Sequence, residues 1–392
     1  MVAPRKYLCQ ILLLLNAGAA CAADVWVSPQ GNDTCSGSQN APVATLRMAL
    51  QKVREARRLH PDTPPAGGFH IAMRGGSYFL DEPIFIRPED AGTENSPTII
   101  EAARGEKPVV SGGVVVGSWS KAGSVRNLPK AAQGKVWVAD APTFGGRHFD
   151  FRQLWVNGKK ATRARSVNQL DQMPHILGAN KRAEELYIRT PQQCNLSNPA
   201  PMEMQLHQMW EIAVLRVKSM TVRGDTTTVK FFQPESRIEF QHPWPPLVLQ
   251  HDSLGGNSTY FLSNAIEFLD SPSEWFYDAH NGKLYYYPRS DEDMRSATVV
   301  APYFETIVRI EGTPDRQPHH VELRGIGFAH STWLRPSLQG HVPLQAGMYL
   351  VDAYKLRPAG THERPKLENQ AWTEPMPGGL SLKYAHHIRF FR

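Results

Sequence analysis

Two short segments near the carboxyl end of the chain carry the side chains best suited to hold a ligand. One runs from His330 to Trp333 and the other from Trp372 to Glu374. An indole ring offers a flat apolar face for a ring-shaped ligand, and a carboxylate accepts hydrogen bonds from hydroxyl groups. The alternative is that both tryptophans pack under a loop and that Glu374 is solvated. We therefore predict a binding cleft formed by His330, Trp333, Trp372 and Glu374.

Four further histidines form two pairs, His319-His320 and His386-His387, each directly before an apolar strand pattern. Histidine is a common metal ligand, but repetition at equivalent corners is better explained by the packing of a turn. The sequence has no Cys/His cluster with zinc spacing, no phosphate-binding loop and no G-x-S-x-G elbow. We expect no metal and no cofactor.

The first 22 residues have the pattern of a secretory signal. Two basic residues precede the apolar run Tyr7–Leu15, and Ala20 and Ala22 fit the small-x-small rule for cleavage. The run is too short to span a bilayer. We expect a secreted or periplasmic protein without a membrane span. Lipid anchoring at Cys21 is the less favoured alternative.

Two cysteines, Cys35 and Cys194, remain after removal of this segment. In an exported protein two cysteines permit one disulfide, but sequence gives no distance between them. The pairing is therefore left open, and a catalytic thiol has no local support.

Composition indicates a folded, turn-rich chain of 392 residues, or two to three domains at roughly 150 residues each. Hydrophobic residues make up 41% and charged residues 20%, which excludes wholesale disorder. Glycine and proline together number 61 (30 and 31), too many for a mainly helical protein. The net charge of +6 is spread along the chain, so no nucleic-acid partner is expected.

The pattern of apolar residues predicts one helix and many strands. Residues 45–60 place Leu46, Leu50 and Val53 on one helical face. From Phe69 to Trp119 short strand patterns recur with a turn every eight to twelve residues, which is typical of a sandwich, a barrel or a stacked solenoid.

Residues 119–300 have longer, hairpin-like strands rich in aromatic residues. The pair Asn157-Gly158 between apolar runs is a strong hairpin signal, because a type I′ turn needs positive φ at both positions. This region is predicted to be an inserted β domain.

A repeat near the end of the chain suggests stacked units. His319–Arg324 is echoed by His386–Phe391, each with apolar residues at alternate positions. Two strand-and-corner copies favour strands that stack on one another. The Pro-rich stretch between them, residues 335–377, is predicted to be a long projecting loop that binds ligands.

Several motifs resemble known families. The opening Val27-Ser28-Pro29-x-Gly31-Asn32-Asp33 and the segment Gly105–Gly113 are similar to secreted right-handed parallel β-helix proteins. The run Phe151–Lys159, followed by Arg163-Ala164-Arg165, resembles the inserted β domain of glycoside hydrolase family 141.

The resemblance implies an all-β chain: a right-handed parallel β-helix with an amino-terminal capping helix and an inserted β-rich domain. The predicted division is residues 1–22 for the signal, 23–118 for the cap and first strands, 119–300 for the inserted domain and 301–392 for the continuing strands.

The same resemblance implies an exported glycoside hydrolase acting on a polysaccharide or oligosaccharide through paired carboxyl groups. The similar proteins carry their catalytic acids on later strands, and this chain stops at Arg392 within a strand pattern. We therefore expect an amino-terminal fragment, inactive by itself, with its catalytic acids beyond residue 392. No catalytic residue is assigned, and the oligomeric state is not predicted.

Two other functions remain open. A polysaccharide lyase would need a Lys or Arg base and commonly a calcium site of clustered aspartates. A non-catalytic surface protein would bind glycans through residues 335–377 and the aromatic domain. Two carboxylates about 5–10 Å apart in a cleft would favour the hydrolase.

Overall fold

The computed structural model describes residues 24–192, 194–196, 199, 201–242, 246–249, 255–352 and 372–392. The predicted signal segment, residues 1–22, lies outside the described residues. Within the described ranges the α-helices are α1 (Leu46–Leu59), α2 (Glu235–Gln241) and α3 (Arg335–Gln339). Single 3₁₀ turns occupy Pro88–Asp90, Lys130–Ala132, Leu170–Gln172 and Ile266–Phe268.

Short strands make up most of the remaining structure. Before residue 117 they are β1 (Val25–Val27), β2 (Phe69–Met73), β3 (Gly76–Phe79), β4 (Ile84–Ile86), β5 (Thr98–Ala102), β6 (Pro108–Ser111) and β7 (Gly113–Val116). The middle of the chain forms β8 (Ser120–Lys121), β9 (Trp137–Asp140), β10 (Thr143–Phe144), β11 (Arg147–His148), β12 (Trp155–Val156), β13 (Lys159–Lys160), β14 (Thr162–Arg163), β15 (Gly178–Asn180), β16 (Glu185–Arg189), β17 (Glu203–His207), β18 (Ile212–Arg223), β19 (Thr226–Phe231), β20 (Tyr260–Ser263), β21 (Glu274–Asp278) and β22 (Lys283–Tyr286). The last group is β23 (Val299–Pro302), β24 (Val308–Glu311), β25 (His319–Arg324), β26 (Gly327–Ala329), β27 (Pro343–Leu344), β28 (Met348–Leu350), β29 (Thr373–Pro375), β30 (Leu380–Lys383) and β31 (His386–Phe391).

The all-β character is confirmed, since only 11% of the chain is helical. The prediction of a right-handed parallel β-helix is wrong as a description of this chain, because most of its sheets are small and antiparallel. Of the eight sheets formed by described residues, five contain antiparallel pairs, the largest in the order β15-β16-β19-β18-β17-β20. The physical reason is local: tight hairpins let sequence neighbours pair directly, which only antiparallel strands can do.

Parallel pairing is concentrated in three sheets, β1-β2-β5-β25-β31, β4-β24-β30 and β3-β6-β26. Their inward side chains share one core; for example, Ile71 pairs with Ile100, which in turn pairs with Leu323. We call these sheets the parallel-strand unit. The repeated histidine-led segments are its β25 and β31, paired in register from His319 and His386 onward.

The helix predicted over residues 45–60 is confirmed as α1. The Thr45 side chain accepts a hydrogen bond from the Met48 amide, which caps the first turn. Leu46, Leu50 and Val53 are buried against the core of the parallel-strand unit. The helix is thereby fixed to β1 and β2.

The inserted region begins and ends at neighbouring strands, because β7 and β23 pair antiparallel. The predicted hairpin is confirmed: β12 and β13 pair around Asn157 and Gly158, whose φ angles are 49° and 74°. The six-stranded sheet packs against a separate hydrophobic core, which contains Leu186, Met204 and Leu215.

The prediction of a long loop over residues 335–377 is wrong for its described part. Residues 335–339 form α3, and β27, β28 and β29 form a small antiparallel sheet. Residues 353–371 of this stretch lie outside the described residues. The buried side chains of Val342, Leu344 and Leu350 pack into the core of the inserted region, which explains why a proline-rich segment folds there.

Cys35 and Cys194 are both free thiols in the structure, so the disulfide left open by the sequence is not formed. Cys194 packs against the core of the inserted region, and burial raises the pKa of its thiol to about 12. Within the described ranges, none of the helices has the length and apolar character needed to cross a membrane.

Candidate functional site

An open cleft of about 350 Å³ lies between α3 and the small sheet β27-β28-β29. Its walls combine aromatic rings, a cation, a carboxylate and an amide, which suits a ligand with both apolar and hydroxyl surfaces. The lining residues are Glu305, Trp333, Arg335, Leu338, Gln339, Tyr349, Pro375 and Pro377.

Two aromatic rings form the centre of the cleft. The Trp333 and Tyr349 ring centroids are 5.3 Å apart at 47°, and the His341 and Trp333 ring centroids are 4.9 Å apart in a T-shaped arrangement. The Arg335 guanidinium lies 4.4 Å from the Tyr349 ring centroid. Tyr349 is itself buried, so these contacts hold the partly exposed Trp333 ring in a fixed position at the cleft.

Glu374 faces Tyr349 across two paired strands, β29 and β28. The Tyr349 hydroxyl donates a hydrogen bond to Glu374 Oε2. Burial and this hydrogen bond raise the pKa of Tyr349 to about 12. The phenol therefore remains a donor at neutral pH, and it orients a carboxylate that is otherwise exposed.

A second carboxylate, Glu305, approaches the same phenol from the segment between β23 and β24. Glu305 Oε1 accepts a hydrogen bond of 2.9 Å from the Leu334 amide, immediately before α3. Its charge contributes to the raised pKa of Tyr349. Two carboxylates from distant parts of the chain thus share one aromatic neighbour.

The structure brings two of the predicted binding residues together: Trp333 lines the cleft and Glu374 is bonded to a lining residue. Trp372 lies directly before β29, at a bend in the backbone. Its side chain is 44% exposed. The binding role of all three residues remains a prediction.

His330 lies apart from the residues that line the cleft. Its Nδ1 is 2.8 Å from the Ser111 hydroxyl, and its ring centroid lies 5.4 Å from that of Trp155 in a T-shaped arrangement. Burial lowers the pKa of His330 and so favours the neutral ring. These contacts join β6 to the β12–β13 hairpin, and the binding role of His330 remains a prediction.

Sequence reasoning missed Arg335, Gln339 and Tyr349 because their segment looked like a loop, and it missed Glu305 because nothing local marks that residue. One signal was present. Ala346 and Gly347, between β27 and β28, have φ angles of 60° and 72°, so the Ala-Gly pair forms a hairpin turn. Such a pair is a weaker hairpin signal than Asn-Gly.

The four paired histidines stack instead of converging on one point. His319 lies 4.9 Å from His386 and His320 lies 4.7 Å from His387, with nearly parallel rings. Within each pair the Nδ1 atoms face each other, at 2.9 Å for His319 and His320. Among the residues that the structure describes, no group of three or more His, Cys, Asp or Glu side chains is placed to hold a metal ion.

The middle of the chain matches a known domain family. Residues 134–289 match the family model described as the GH141 insertion domain. This segment contains β9 to β22 and therefore most of the region predicted as an inserted β domain.

Comparison with individual proteins extends this likeness. A solved structure named "Glycoside hydrolase" superposes with a TM-score of 0.84 and 45% sequence identity, over 95% of this chain and 61% of that chain. Pectate lyase PEL9 of Emericella nidulans is 27% identical over 151 residues, or 38% of this chain and 32% of that protein. The chain thus spans less than two thirds of either protein, and it is glycoside hydrolase-like in sequence and structure.

Proposed function

We propose that this chain is the glycan-binding part of an exported glycoside hydrolase, and that the cleft between α3 and β27-β28-β29 holds the polysaccharide. The observation that carries the proposal is the arrangement of Trp333 and Tyr349 between Glu374, Glu305 and Arg335. Flat rings bordered by hydrogen-bonding groups match a sugar ring, which has an apolar face and a rim of hydroxyl groups.

Each part of the cleft has a distinct task in this proposal. Trp333 stacks against the apolar face of one sugar unit. Glu374 accepts hydrogen bonds from its hydroxyls through the oxygen lone pairs that Tyr349 leaves free. Arg335 and Gln339, already bonded to each other at 2.7 Å, supply donors at the rim.

Hydrolysis is the proposed reaction class because the insertion-domain match and the 45%-identical structure are both named for glycoside hydrolases. The reaction needs one protonated and one ionised carboxyl group. We assign neither role to Glu305 or Glu374, since Glu305 holds the Leu334 amide and Glu374 holds the Tyr349 hydroxyl. Both are proposed to bind and orient the glycan.

A lyase is the second candidate, favoured by the similarity to a protein named Pectate lyase PEL9. The two reactions differ in their products. Hydrolysis releases saturated reducing ends, whereas elimination releases unsaturated uronates that absorb ultraviolet light. A reducing-end assay and an absorbance assay on polygalacturonate, run with this chain and with any longer form of the protein, therefore separate them.

Binding is tested by affinity electrophoresis in gels containing polygalacturonate, an acidic polymer, or xylan, a largely neutral one. We expect wild-type protein to be retarded and Trp333→Ala to lose about tenfold in affinity, as buried aromatic anchors commonly do. Trp210→Ala is the matched control, because this tryptophan is 41% exposed on the inserted region. Equal retardation of Trp333→Ala and wild type would refute the proposed cleft.

A further inference from the structure

One wall of the cleft is held to the inserted region by hydrogen bonds. We call residues 333–341 the cleft wall; it contains α3 and four of the lining residues, Trp333, Arg335, Leu338 and Gln339. A helix of five residues is not stable by itself. Its orientation is therefore set by what it touches.

The first fastening point is a buried ion network. Glu203 on β17 has a side chain only 3% exposed, and its Oε1 accepts hydrogen bonds from Arg152 Nη1 at 2.7 Å and from the Ser337 hydroxyl at 2.9 Å. Arg152 Nη1 also donates to the Ser337 hydroxyl at 2.6 Å. Ser337 therefore bridges both partners of an ion pair that belongs to the inserted region.

The charge on Glu203 is maintained inside the protein. Burial opposes its ionisation, but the guanidinium groups of Arg163 and Arg152 outweigh that cost and lower the pKa of Glu203. Arg163 Nη1 donates to Glu203 Oε2 at 3.0 Å. Hydrogen bonds to charged groups are stronger than those between neutral groups, so the serine is held firmly.

The second and third fastening points follow directly in sequence. At Gly340, which has φ of 68°, an added Cβ would lie 2.4 Å from Glu235 Cβ, so the backbone and that side chain are in close contact. Glu235 is itself paired with Arg216 of β18 at 2.7 Å. His341 and Val214 exchange two backbone hydrogen bonds, each of 2.8 Å.

The single turn of α3 separates two faces. Arg335, Leu338 and Gln339 are spaced three and four residues apart and face the cleft. Ser337 lies on the other side and faces Glu203. A contact on one face therefore sets the direction of the groups on the other.

We propose that Ser337 is a positioning residue. Its hydrogen bonds to the buried Arg152–Glu203 pair of the inserted region orient the cleft wall toward the polysaccharide. This inference rests on the proposed function. It gives the inserted region a role in glycan recognition without direct contact with the glycan.

The test compares Ser337→Ala with Ser337→Thr, which keeps the hydroxyl, and with Ser296→Ala. The last is a matched control that removes a serine hydrogen bond in a surface turn. We expect about tenfold weaker binding to polygalacturonate or xylan for Ser337→Ala, and affinity within about twofold of wild type for the other two. All three variants should remain folded at the temperature of the binding assay, as thermal melts would show, which separates misdirected binding from unfolding.

Hydrogen exchange supplies a readout that needs no ligand. Amides of residues 334–341 should exchange faster in Ser337→Ala, while those of β17 and β18 stay protected. Unchanged exchange or unchanged affinity in Ser337→Ala would overturn the positioning role. If Trp333→Ala also binds normally, the proposed cleft is wrong; if only Trp333→Ala loses binding, the cleft stands and the role of Ser337 is refuted.

Discussion

Glu239 gives the sharpest prediction, because its carboxyl group is buried and no cation among the described residues is bonded to it. It lies on α2, is 4% exposed, and accepts a hydrogen bond of 2.6 Å from Gln208 Nε2. Its Oε2 and the Gln208 Oε1 are both buried without a partner among the described residues. A protonated carboxyl group supplies the donor that this acceptor pair lacks. Burial accordingly raises the pKa of Glu239 to about 8.

The size of the effect follows from linkage. The ordinary value is 4.5, so the folded state holds a proton that the unfolded chain has lost between about pH 4.5 and pH 8. Stability from this group is complete below pH 4.5 and is lost as the pH rises to about 8. The gap of about 3.5 pH units corresponds to about 5 kcal/mol of unfolding free energy.

Glu239→Gln should remove this dependence, because an amide oxygen can accept the hydrogen bond from Gln208 Nε2, the amide nitrogen supplies a donor for Gln208 Oε1, and the group does not ionise. Urea unfolding of wild type and variant is measured from pH 4.5 to 8.5. We expect equal stability at the acid end and a variant more stable by several kcal/mol at pH 8. The control is Glu184→Gln, since Glu184 accepts the same kind of bond from Gln233 on the surface. Curves for Glu239→Gln and wild type that run parallel would refute the reasoning.

Two further predictions concern the protonation of two histidines and the backbone at one glycine. Below about pH 6.5 the contribution of His319 and His320 to stability should fall, because burial and the neighbouring imidazoles lower their pKa and the unfolded chain binds those protons more readily. The measurement is made in the Glu239→Gln background, which lacks the opposing rise in stability from Glu239. His320→Asn, which suits the positive φ of 51°, should flatten this acid limb in thermal melts. Gly340→Ala should cost at least about 2 kcal/mol more than Gly224→Ala in urea unfolding, because both glycines have positive φ but only Gly340 lacks space for a Cβ.

Each of these has a clear contrary result. An acid limb unchanged in His320→Asn would show that other groups dominate the acid loss. An equal loss of unfolding free energy in the two glycine variants would show that Glu235 moves aside easily. The close contact between Gly340 and Glu235 would then contribute nothing to stability.

Local elements of the fold could be predicted from sequence, because their signals lie within a few residues. Thr45 before a helical apolar stripe gives α1, and Asn157-Gly158 gives a hairpin. The pairing of strands is a different matter. The twelve residues of β18 read as a strand, but nothing local states that it pairs with β17 and β19 in an antiparallel sheet. The predicted architecture failed at that level.

The candidate site divides in the same way. Trp333 and Glu374 could be proposed from residue type, since aromatic and carboxylate groups are the common partners of hydroxylated rings. Glu305 could not, because it reaches the cleft only through the fold. His330 was a plausible candidate by type, and its partner Ser111 lies 219 positions earlier in the chain. Composition cannot reveal a contact of that kind.

The pairing of β7 with β23 has a consequence for how such a chain could have been assembled. The ends of the inserted region leave and return side by side, with Val116 opposite Val299. A chain segment of almost any length could therefore be inserted between β7 and β23 without disturbing the parallel-strand unit. The cleft wall is different, because Ser337 and His341 form hydrogen bonds with the inserted region. If the inserted region was acquired by insertion, the parallel-strand unit would have stayed intact. A different inserted domain would need new contacts with the cleft wall.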